Sequence, residues 1–180
     1  VENMLSFSRK SDSKFAPHDM AELMEKTLEI ASSDFDLMNG YDFKEITVER
    51  DFDPATPKVI CDGSKLQQVF LNIIKNSAQA MKETGTGEKP GLRLTLAPEN
   101  EQVRVEISDN GPGMDEETRR HIFEPFYTNK GSGKGTGLGM SISYFIVREN
   151  HGGEIKVISE PGKGASFIIH LPVAGPANDS

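Results

Sequence analysis

The stretch Gly131–Met140 reads GSGKGTGLGM and runs directly into the apolar segment 141–147, SISYFIV. Glycines at alternate positions leave a backbone that can approach a ligand closely, and the helix predicted to follow directs its first N–H groups back at whatever the loop holds. This arrangement suits phosphate. For the loop taken alone, a plain surface linker remains the alternative.

Two common phosphate-binding loops are excluded by the spacing. A Walker A loop needs Ser or Thr after its Gly-Lys pair, but the pairs at 133–134 and 162–163 are each followed by glycine. The dinucleotide pattern G-x-G-x-x-G also fails, because its last glycine would fall on Thr136, Leu138 or Met140. If the loop binds phosphate, it does so within another motif.

The composition limits the class of protein. With 180 residues, 36% of them hydrophobic, the chain has room for one ordinary domain plus an appendage. A formal net charge of -8 argues against a general binder of nucleic acid or anionic membranes. The single cysteine, Cys61, fits a reducing compartment, and no apolar run approaches the roughly 20 residues of a membrane span. We expect a cytoplasmic fragment and leave open a membrane anchor upstream of Val1.

A helix with two asparagines on one edge is predicted from Asp62 to Met81. Its apolar residues keep the i, i+3, i+4, i+7 spacing, Asp62 is a good N-cap, and glycines soon after Met81 end it. On another side Asn72 and Asn76 stand four residues apart, so their side chains lie one above the other. The pair is either a solvated face or a ligand site in which an amide oxygen meets a metal ion carried by phosphates.

A hairpin and a tight turn follow this helix. Segments 92–96 and 103–107 alternate apolar and polar residues across the turn 98–101, which predicts an antiparallel pair with one wet face. The second strand ends at residues 109–114, DNGPGM. Asp109 is placed there either to accept from an exocyclic amine of a base or to cap its own turn.

The N-terminal part is predicted from the same signals. Residues 11–17 have the composition of a polar link, after which Pro17 is expected to open an amphipathic helix to about Ser32. Residues 33–42 are expected to form a solvated loop, without the ligand spacing of an EF-hand.

The remaining elements are short strands, helices and a tail. Strands at 46–48 and 59–61 are expected to pair with each other. We then expect a short helix and a second helix that runs from the glycine loop to about Glu149 and is ended by residues 151–153. A closing hairpin and a loose tail follow. The short helix, hairpin strands and tail occupy residues 115–122, 154–159, 165–171 and 173–180.

Four motifs occur in a fixed order: Asn-x-x-x-Asn on a helix, Asp-x-Gly-x-Gly at a turn, a Phe-Pro-Phe segment, and Gly-x-Gly-x-Gly opening a helix. Together they resemble the catalytic ATP-binding domain of sensor histidine kinases, in the superfamily that also holds gyrase, heat-shock-chaperone and mismatch-repair ATPases. The resemblance covers residues 57–172. It implies an α/β (α+β) two-layer sandwich of the Bergerat type, in which helices cover one face of a mixed, mainly antiparallel sheet and a flexible lid covers ATP.

The resemblance implies roles for the first two motifs. Asn76 is expected to coordinate Mg²⁺, and Asn72, one turn earlier, to assist at the phosphates. Asp109 is expected to accept from the amine of adenine, with Gly111 and Gly113 shaping the turn beneath the base. Magnesium and a few positioned donors are most of what phosphoryl transfer requires of a protein.

The segment 123–130 and the loop through Gly139 resemble the mobile ATP lid. Lys130 is placed to meet phosphate, and backbone N–H groups near 137–139 to cradle it. In isolation, the three aromatics of 123–130 are more typical of a core anchor than of a ligand contact. The candidate nucleotide-binding residues of the loop are Gly135, Thr136, Gly137, Leu138 and Gly139.

The residue at position 72 helps to choose among the activities of the superfamily. By the resemblance, ATP-hydrolysing relatives carry Glu at this place as the base for water, and the amide of Asn72 cannot take the proton. The implied acceptor is a histidine in a helical hairpin, a context that none of the chain's histidines has: His18, His121, His151 and His170. Residues 1–10 are interpreted as the tail of the second hairpin helix, with a disordered terminus as the alternative.

One departure from the family pattern concerns the last strand. The family usually has Thr after its final Gly-x-Gly, where this chain has Ala165, which has no polar side chain to contact the base. The neighbouring Ser166 is not assumed to replace it.

The resulting hypothesis is the ATP-binding catalytic half of a protein-histidine kinase. Expected domains are the end of the hairpin helix and linker at 1–16, the catalytic domain at 17–173 and a tail at 174–180. Expected cofactors are ATP and Mg²⁺. Expected partners are the histidine hairpin of the same protein, a response-regulator receiver domain, and a second copy in the full-length homodimer, without nucleic acid. Alternatives are an ATP-binding pseudokinase or regulatory module and, less favoured, an ATPase or a serine kinase of the superfamily.

Overall fold

The computed structural model describes residues 14–38, 43–84, 87–128 and 137–177. The strands in these ranges are β1 (Phe15–His18), β2 (Thr47–Phe52), β3 (Val59–Asp62), β4 (Gly91–Glu99), β5 (Gln102–Asp109), β6 (Glu154–Ser159) and β7 (Ala165–Pro172). The α-helices are α1 (Met20–Met38), α2 (Gly63–Thr84), α3 (Glu116–His121) and α4 (Gly139–Phe145). No helix within these ranges is both long enough and apolar enough to cross a membrane.

Five strands form one mixed sheet in the order β2-β4-β5-β7-β6. The β2–β4 pair is parallel, and the other pairs are antiparallel. Apolar residues on one face of β4, β5 and β7 join the core with α1 and α2. The expected two-layer sandwich with a mainly antiparallel sheet is confirmed. So are the two predicted hairpins, β4–β5 and β6–β7, and the short helix α3.

α2 is the central helix of this core. The Oδ1 atom of Asp62 accepts a hydrogen bond from the N–H of Lys65 at 3.2 Å, which confirms the predicted N-cap. Each large apolar side chain that the helix buries stabilises the fold by roughly 1.5–3 kcal/mol relative to leaving it exposed. The buried residues of α2 past its first turn are Leu66, Val69, Phe70, Ile73, Ile74, Ser77, Ala78 and Met81.

The segment before α1 is a strand, so the prediction of a polar link is wrong there. β1 pairs antiparallel with β3, and Pro17 lies opposite Ile60. Proline is tolerated because β1 is an edge strand of a two-stranded sheet. The helix opens at Asp19 rather than Pro17, since the Oδ1 atom of Asp19 accepts from the N–H of Ala21 at 2.8 Å.

β2 and β3 do not pair with each other, contrary to the prediction from sequence. β2 lies at the edge of the main sheet beside β4, and β3 pairs with β1. Strand signals identify extended segments but not their partners, and both strands find partners on other elements. β1 also spans the expected domain boundary between residues 16 and 17, so both of its halves belong to the same small sheet.

α1 is longer than predicted. It continues past Ser32 to Met38, through residues that were expected to form a solvated loop. The physical reason is that 33–38 contain neither Gly nor Pro, so no residue there ends the helix. Residues 39–42 of the expected loop lie outside the described ranges.

The helix after the glycine loop changes its hydrogen-bonding pattern before it ends. α4 stops at Phe145 and a π-helical turn continues it over Ile146–Asn150, where the sequence predicted one uniform helix. The Nε2 atom of His151 accepts from the N–H of Asp62 at 3.1 Å. Its Nδ1 therefore carries the hydrogen and donates to the carbonyl of Ile146 at 2.8 Å. His151 thus ties the end of this helix to the start of α2.

Val173, directly after β7, is held in place, so the prediction of a loose tail from residue 173 onwards is wrong at its first residue. The carbonyl of Val173 accepts from the N–H of Ile60 at 3.0 Å, and the N–H of Val173 donates to the carbonyl of Glu101 at 3.0 Å. Both bonds fix the chain beside β3 and the β4–β5 turn. Residues 178–180 lie outside the described part of the chain.

Candidate functional site

α2 contacts two other parts of the predicted site along its length. Near its middle it packs against α4, and further along it contacts β5. Asn72 lies beside Gly139, at the start of α4, and Met81 lies beside Gly111, just after β5. The first, second and fourth sequence motifs therefore meet around one helix.

The Asp109 carboxylate lies half-buried at the end of β5. Its Oδ1 accepts a hydrogen bond from the N–H of Gly111 at 2.9 Å, so Asp109 caps its own turn, which was one of its two expected roles. Burial raises the pKa of Asp109, while the Ser77 hydroxyl and the N–H groups of Gly111 and Ala165 act in the opposite direction by favouring the charged form.

Ser77 contributes a buried hydroxyl next to this carboxylate. The residue is fully buried, and its Oγ has no partner at hydrogen-bonding distance and angle within the described ranges. The hydroxyl thus favours the Asp109 charge electrostatically without a well-formed hydrogen bond.

The turn after Asp109 is held by the turn between β6 and β7. The N–H of Gly162 donates to the carbonyl of Pro112 at 2.6 Å. Gly113 has a φ of 72°, and a Cβ on it would lie 2.0 Å from the carbonyl oxygen of Glu160. Only glycine fits there. Gly113 allows the turn after Asp109 to pack against the turn between β6 and β7. Its expected place beneath a base stays a prediction.

The Asn72 side chain joins α2 to the first turn of α4. Its Nδ2 donates to the carbonyl of Gly139 at 3.1 Å and to the Oγ of Ser143 at 3.2 Å. Ser143 is fully buried, and its hydroxyl donates to the same carbonyl at 2.8 Å. Asn72 therefore belongs to a packed contact between helices and not to a solvated face.

Asn76 lies one turn further along α2 with a half-buried side chain. No group of three or more His, Cys, Asp or Glu side chains among the described residues is placed to hold a metal ion. A single amide oxygen is nevertheless a hard, neutral ligand of the kind that Mg²⁺ accepts alongside phosphate oxygens and waters. Asn76 fits a metal ion that arrives with a nucleotide, and this assignment stays a prediction.

Some of the expected phosphate-binding positions are described and others are not. Gly137, Leu138 and Gly139 lead into α4, and the N–H of Phe126 donates to the carbonyl of Gly137 at 3.0 Å. This bond holds the end of the aromatic segment next to the start of α4. The positions outside the described ranges are Lys130, Gly135 and Thr136.

The aromatic residues before the loop do not form one anchor. The ring centroids of Phe123 and Tyr144 lie 5.5 Å apart, and Phe123 packs against the core. Phe126 is 74% exposed and has a φ of 64°. The core-anchor interpretation therefore holds for Phe123 and is wrong for Phe126.

Sequence reasoning missed two serines of the site. Ser77 follows Asn76 directly, and Ser143 lies four residues after Gly139, but a small polar residue within an apolar helix run is a weak signal. Their partners are on other elements and are visible only in the fold. Ser166 does not replace the missing threonine: its Oγ lies 2.7 Å from the Oγ of Ser108, on the face opposite to the buried Ala165.

A family model described as histidine kinase-, DNA gyrase B-, and HSP90-like ATPase matches residues 61–175, which is more than half of the chain. The chain belongs to this family. As an ATP-binding domain of the histidine kinase-like ATPases, it takes ATP as its nucleotide. The matched stretch contains Asn72, Asn76, Asp109 and Gly139, which belong to three of the four motifs, and it also includes the Phe-Pro-Phe segment.

Among curated proteins, sporulation kinase E of Bacillus subtilis (strain 168) is 36% identical over 155 residues, which are 86% of this chain and 19% of that protein. This and seven further curated relatives are named as sporulation kinases, two-component sensors or histidine kinases, and the chain spans 18% to 46% of their length. This histidine kinase-like ATPase domain therefore corresponds to a minor part of each relative.

Solved structures of histidine kinases share its fold, and two of them illustrate the match. The catalytic domain of histidine kinase ThkA aligns with a TM-score of 0.73 and 27% identity, over 89% of this chain and 97% of that one. Histidine kinase ThkA in complex with response regulator protein TrrA aligns with a TM-score of 0.70 and 26% identity, over 97% of this chain and 46% of that one. The resemblance to the catalytic domain of sensor histidine kinases is confirmed.

Proposed function

We propose that this domain transfers the γ-phosphoryl group of ATP to a histidine on a helical hairpin elsewhere in the same protein. Several of its relatives are named as histidine kinases, and it aligns with 97% of the catalytic domain of histidine kinase ThkA. None of the four histidines lies on a helical hairpin: His18 and His170 are on strands, His121 ends α3, and His151 is buried after the π-helical turn. The acceptor is thus a residue outside the described domain.

The observation that carries the proposal is the use of the Asn72 amide as a hydrogen-bond donor to Gly139. A carbonyl oxygen only accepts, so the atom of residue 72 that contacts it must carry a hydrogen. A glutamate at this position, the base needed to activate water, would instead bring a negative oxygen towards that carbonyl. The site supports transfer to a nucleophile supplied from elsewhere better than it supports hydrolysis.

The proposed roles divide between two ends of the site. Asp109 accepts from the exocyclic amine of the base, and the buried Ser77 hydroxyl lies beside it. The Asn76 oxygen binds Mg²⁺, which when bound neutralises charge at the β- and γ-phosphates. The N–H groups near Leu138 and Gly139, with Lys130, hold the phosphates.

The proposed partners follow from the same activity. A receiver domain of a response regulator takes the phosphoryl group from the histidine, and the complex of ThkA with TrrA supports this choice. The homodimer forms mainly through the hairpin, of which residues 1–10 are the proposed tail. The net charge of -8 supports the exclusion of nucleic acid.

The first test is calorimetry of ATP and ADP binding, with and without Mg²⁺, on the wild type, Asn76→Ala and Asp109→Ala. We expect binding that both substitutions weaken, with the Asp109 effect surviving the removal of Mg²⁺. A wild type that binds no nucleotide would refute the nucleotide-binding role.

The second test supplies the histidine hairpin of the full-length protein as a separate substrate and follows phosphotransfer from labelled ATP. Transfer to the hairpin supports the kinase. Normal binding without transfer favours a regulatory ATP-binding module, and rapid phosphate release without a hairpin favours an ATPase.

A further inference from the structure

We infer that Ser143 is a positioning residue that determines which end of the Asn72 amide faces the bound nucleotide. The inference rests on the proposed function, because it concerns the same site. Ser143 is fully buried within α4 and reaches the site through Asn72 rather than through a ligand. It was not among the residues that the motifs identify.

Three groups form a closed set of hydrogen bonds. The Nδ2 of Asn72 donates to the Gly139 carbonyl and to the Ser143 hydroxyl, at 3.1 and 3.2 Å. The Ser143 hydroxyl donates to the Gly139 carbonyl at 2.8 Å. The carbonyl has no hydrogen, so both of its neighbours must be donors, and the single hydrogen of Ser143 is used on it. The serine oxygen is then an acceptor and requires a donor from Asn72.

This chain of requirements fixes the orientation of the amide. The two ends of an Asn side chain differ only in their hydrogen-bonding character, so their assignment follows from the network around them. If the amide were flipped, the Oδ1 of Asn72 would face the Gly139 carbonyl oxygen, and the Ser143 oxygen would lose its donor. Nδ2 therefore faces α4, and Oδ1 is the end left for the site.

The fixed oxygen has a use in the proposed chemistry. Mg²⁺ keeps several of its waters when it binds through phosphates and one protein ligand, and those waters need acceptors. An oxygen presented by Asn72, one turn from Asn76, supplies such an acceptor, whereas a flipped amide would present hydrogens. Removing the Ser143 hydroxyl should therefore weaken the binding that depends on Mg²⁺ and leave metal-free binding unchanged.

The first experiment measures ATP dissociation constants with and without Mg²⁺ for the wild type, Ser143→Ala and Thr27→Val. Thr27 is the matched control, since it is also fully buried and its hydroxyl donates to the carbonyl four residues earlier, that of Leu23, at 2.7 Å. We expect Ser143→Ala to weaken Mg²⁺-dependent binding by roughly threefold to tenfold, the effect of one net hydrogen bond. Thr27→Val should change neither constant.

A double-mutant cycle then tests whether Ser143 acts through Asn72. In an Asn72→Ala background, Ser143→Ala should have no further effect on the Mg²⁺-dependent affinity, because the amide that it orients is gone. Equal losses in both backgrounds, or no loss in the wild-type background, would overturn the inference while the proposed function stands.

Side-chain NMR of the Asn72 NH₂ group gives a readout that needs no nucleotide. In the wild type its hydrogens should exchange slowly with solvent, and Ser143→Ala should shift the signal and speed the exchange severalfold. Rapid exchange in the wild type would overturn the inference without reference to any variant. If the amide is protected but the wild type binds no ATP, the proposed function fails and the positioning role for it fails too, while the amide orientation itself is upheld.

Discussion

The two ends of the proposed ATP site are formed by different kinds of chemical groups. At the base end, Asp109 is a carboxylate whose environment is mostly backbone: its own turn, the first residue of β7, and the β6–β7 turn packed against Gly113. At the phosphate end, Asn72 and Asn76 are neutral amides on the side of one helix. The base end is therefore held mainly by backbone turns, whereas the phosphate end depends on side chains of α2, of which Asn72 also joins α2 to α4.

This difference predicts how substitutions should behave. Changes in the backbone turns at the base end should cost folding free energy as well as affinity, because the turns hold two hairpins together. Changes in the amides should act mainly on Mg²⁺-dependent binding. Among the proposed site side chains that the structure describes, only Asp109, at the base end, titrates. Burial raises the pKa of its carboxyl.

The largest effect is expected for Gly113→Ala, measured as the free energy of unfolding in urea. The new Cβ would lie 2.0 Å from the Glu160 carbonyl oxygen, at a φ of 72°. Backbone strain and forced displacement together should cost about 3 kcal/mol or more.

Gly162→Ala is the matched control for this prediction. Gly162 has a φ of 79° but nothing within 4 Å of the added Cβ, so it carries the strain without the collision. Its cost should be about 1 kcal/mol. Equal losses for the two variants would show that the two turns are not packed as tightly as the structure indicates.

The next effect is expected for Asp109→Ala, measured as the ATP dissociation constant. Loss of a hydrogen bond to a charged acceptor should weaken binding by about 1.5–3 kcal/mol, both with and without Mg²⁺. Asp53→Ala is a suitable control, since Asp53 is exposed at the end of β2 and its carboxylate also caps its own turn, accepting from the N–H of Ala55 at 2.8 Å. An Asp109 effect confined to one metal condition would contradict its assignment to the base.

The sequence predicts these two ends unequally well. The base-end hairpins and α2 could be predicted to within a few residues, because their signals are local: alternation in β4 and β5, an N-cap at Asp62, and a stripe of buried residues on α2. The predicted turn 98–101 is too wide, since β4 runs to Glu99 and β5 begins at Gln102. The order of motifs was enough to identify the family and to place Asn72, Asn76 and Asp109.

What failed or was missed depends on contacts between distant segments. The partners of β2 and β3 are set by the whole sheet arrangement, and β1 is a strand because β3 offers it an edge. Ser77 and Ser143 acquire a role only when α2 meets β5 and α4. The sequence places Asn72 on an edge of α2, but its use as a donor follows from the Gly139 carbonyl, which no local pattern predicts.

A smaller and more selective effect is expected for Asn76→Ala. The neutral amide is proposed to bind only the metal, so the substitution should remove about 1 kcal/mol of Mg²⁺-dependent binding, on the order of a single hydrogen bond or ligand contact. ATP binding in the presence of a chelator should be unchanged, and the free energy of unfolding should move by less than that of Gly113→Ala. Calorimetry with and without Mg²⁺ measures both affinities, and a loss of equal size in the two conditions would place Asn76 outside the metal site.

The smallest effect is expected in the pH dependence of the free energy of unfolding, through His151, which connects the helices that carry the phosphate end. Burial is the main cause that lowers the pKa of His151 below its ordinary 6.5. The neutral ring accepts a hydrogen bond from the N–H of Asp62, just before α2. It donates one to the carbonyl of Ile146, in the π-helical turn that follows α4. Below pH 6.5 the unfolded chain therefore takes up a proton that the folded chain resists, so the free energy of unfolding should fall as the pH drops through and below that value. Above it, His151 should contribute no pH dependence.

Urea titrations at several pH values between about 5 and 8, the range in which histidine normally titrates, would measure the free energy of unfolding of the wild type. His151→Gln is the control, because glutamine cannot titrate. An identical slope in the wild type and His151→Gln would show that this histidine does not couple the two helices to pH, and would leave Asp109 as the titrating group that distinguishes one end of the site from the other.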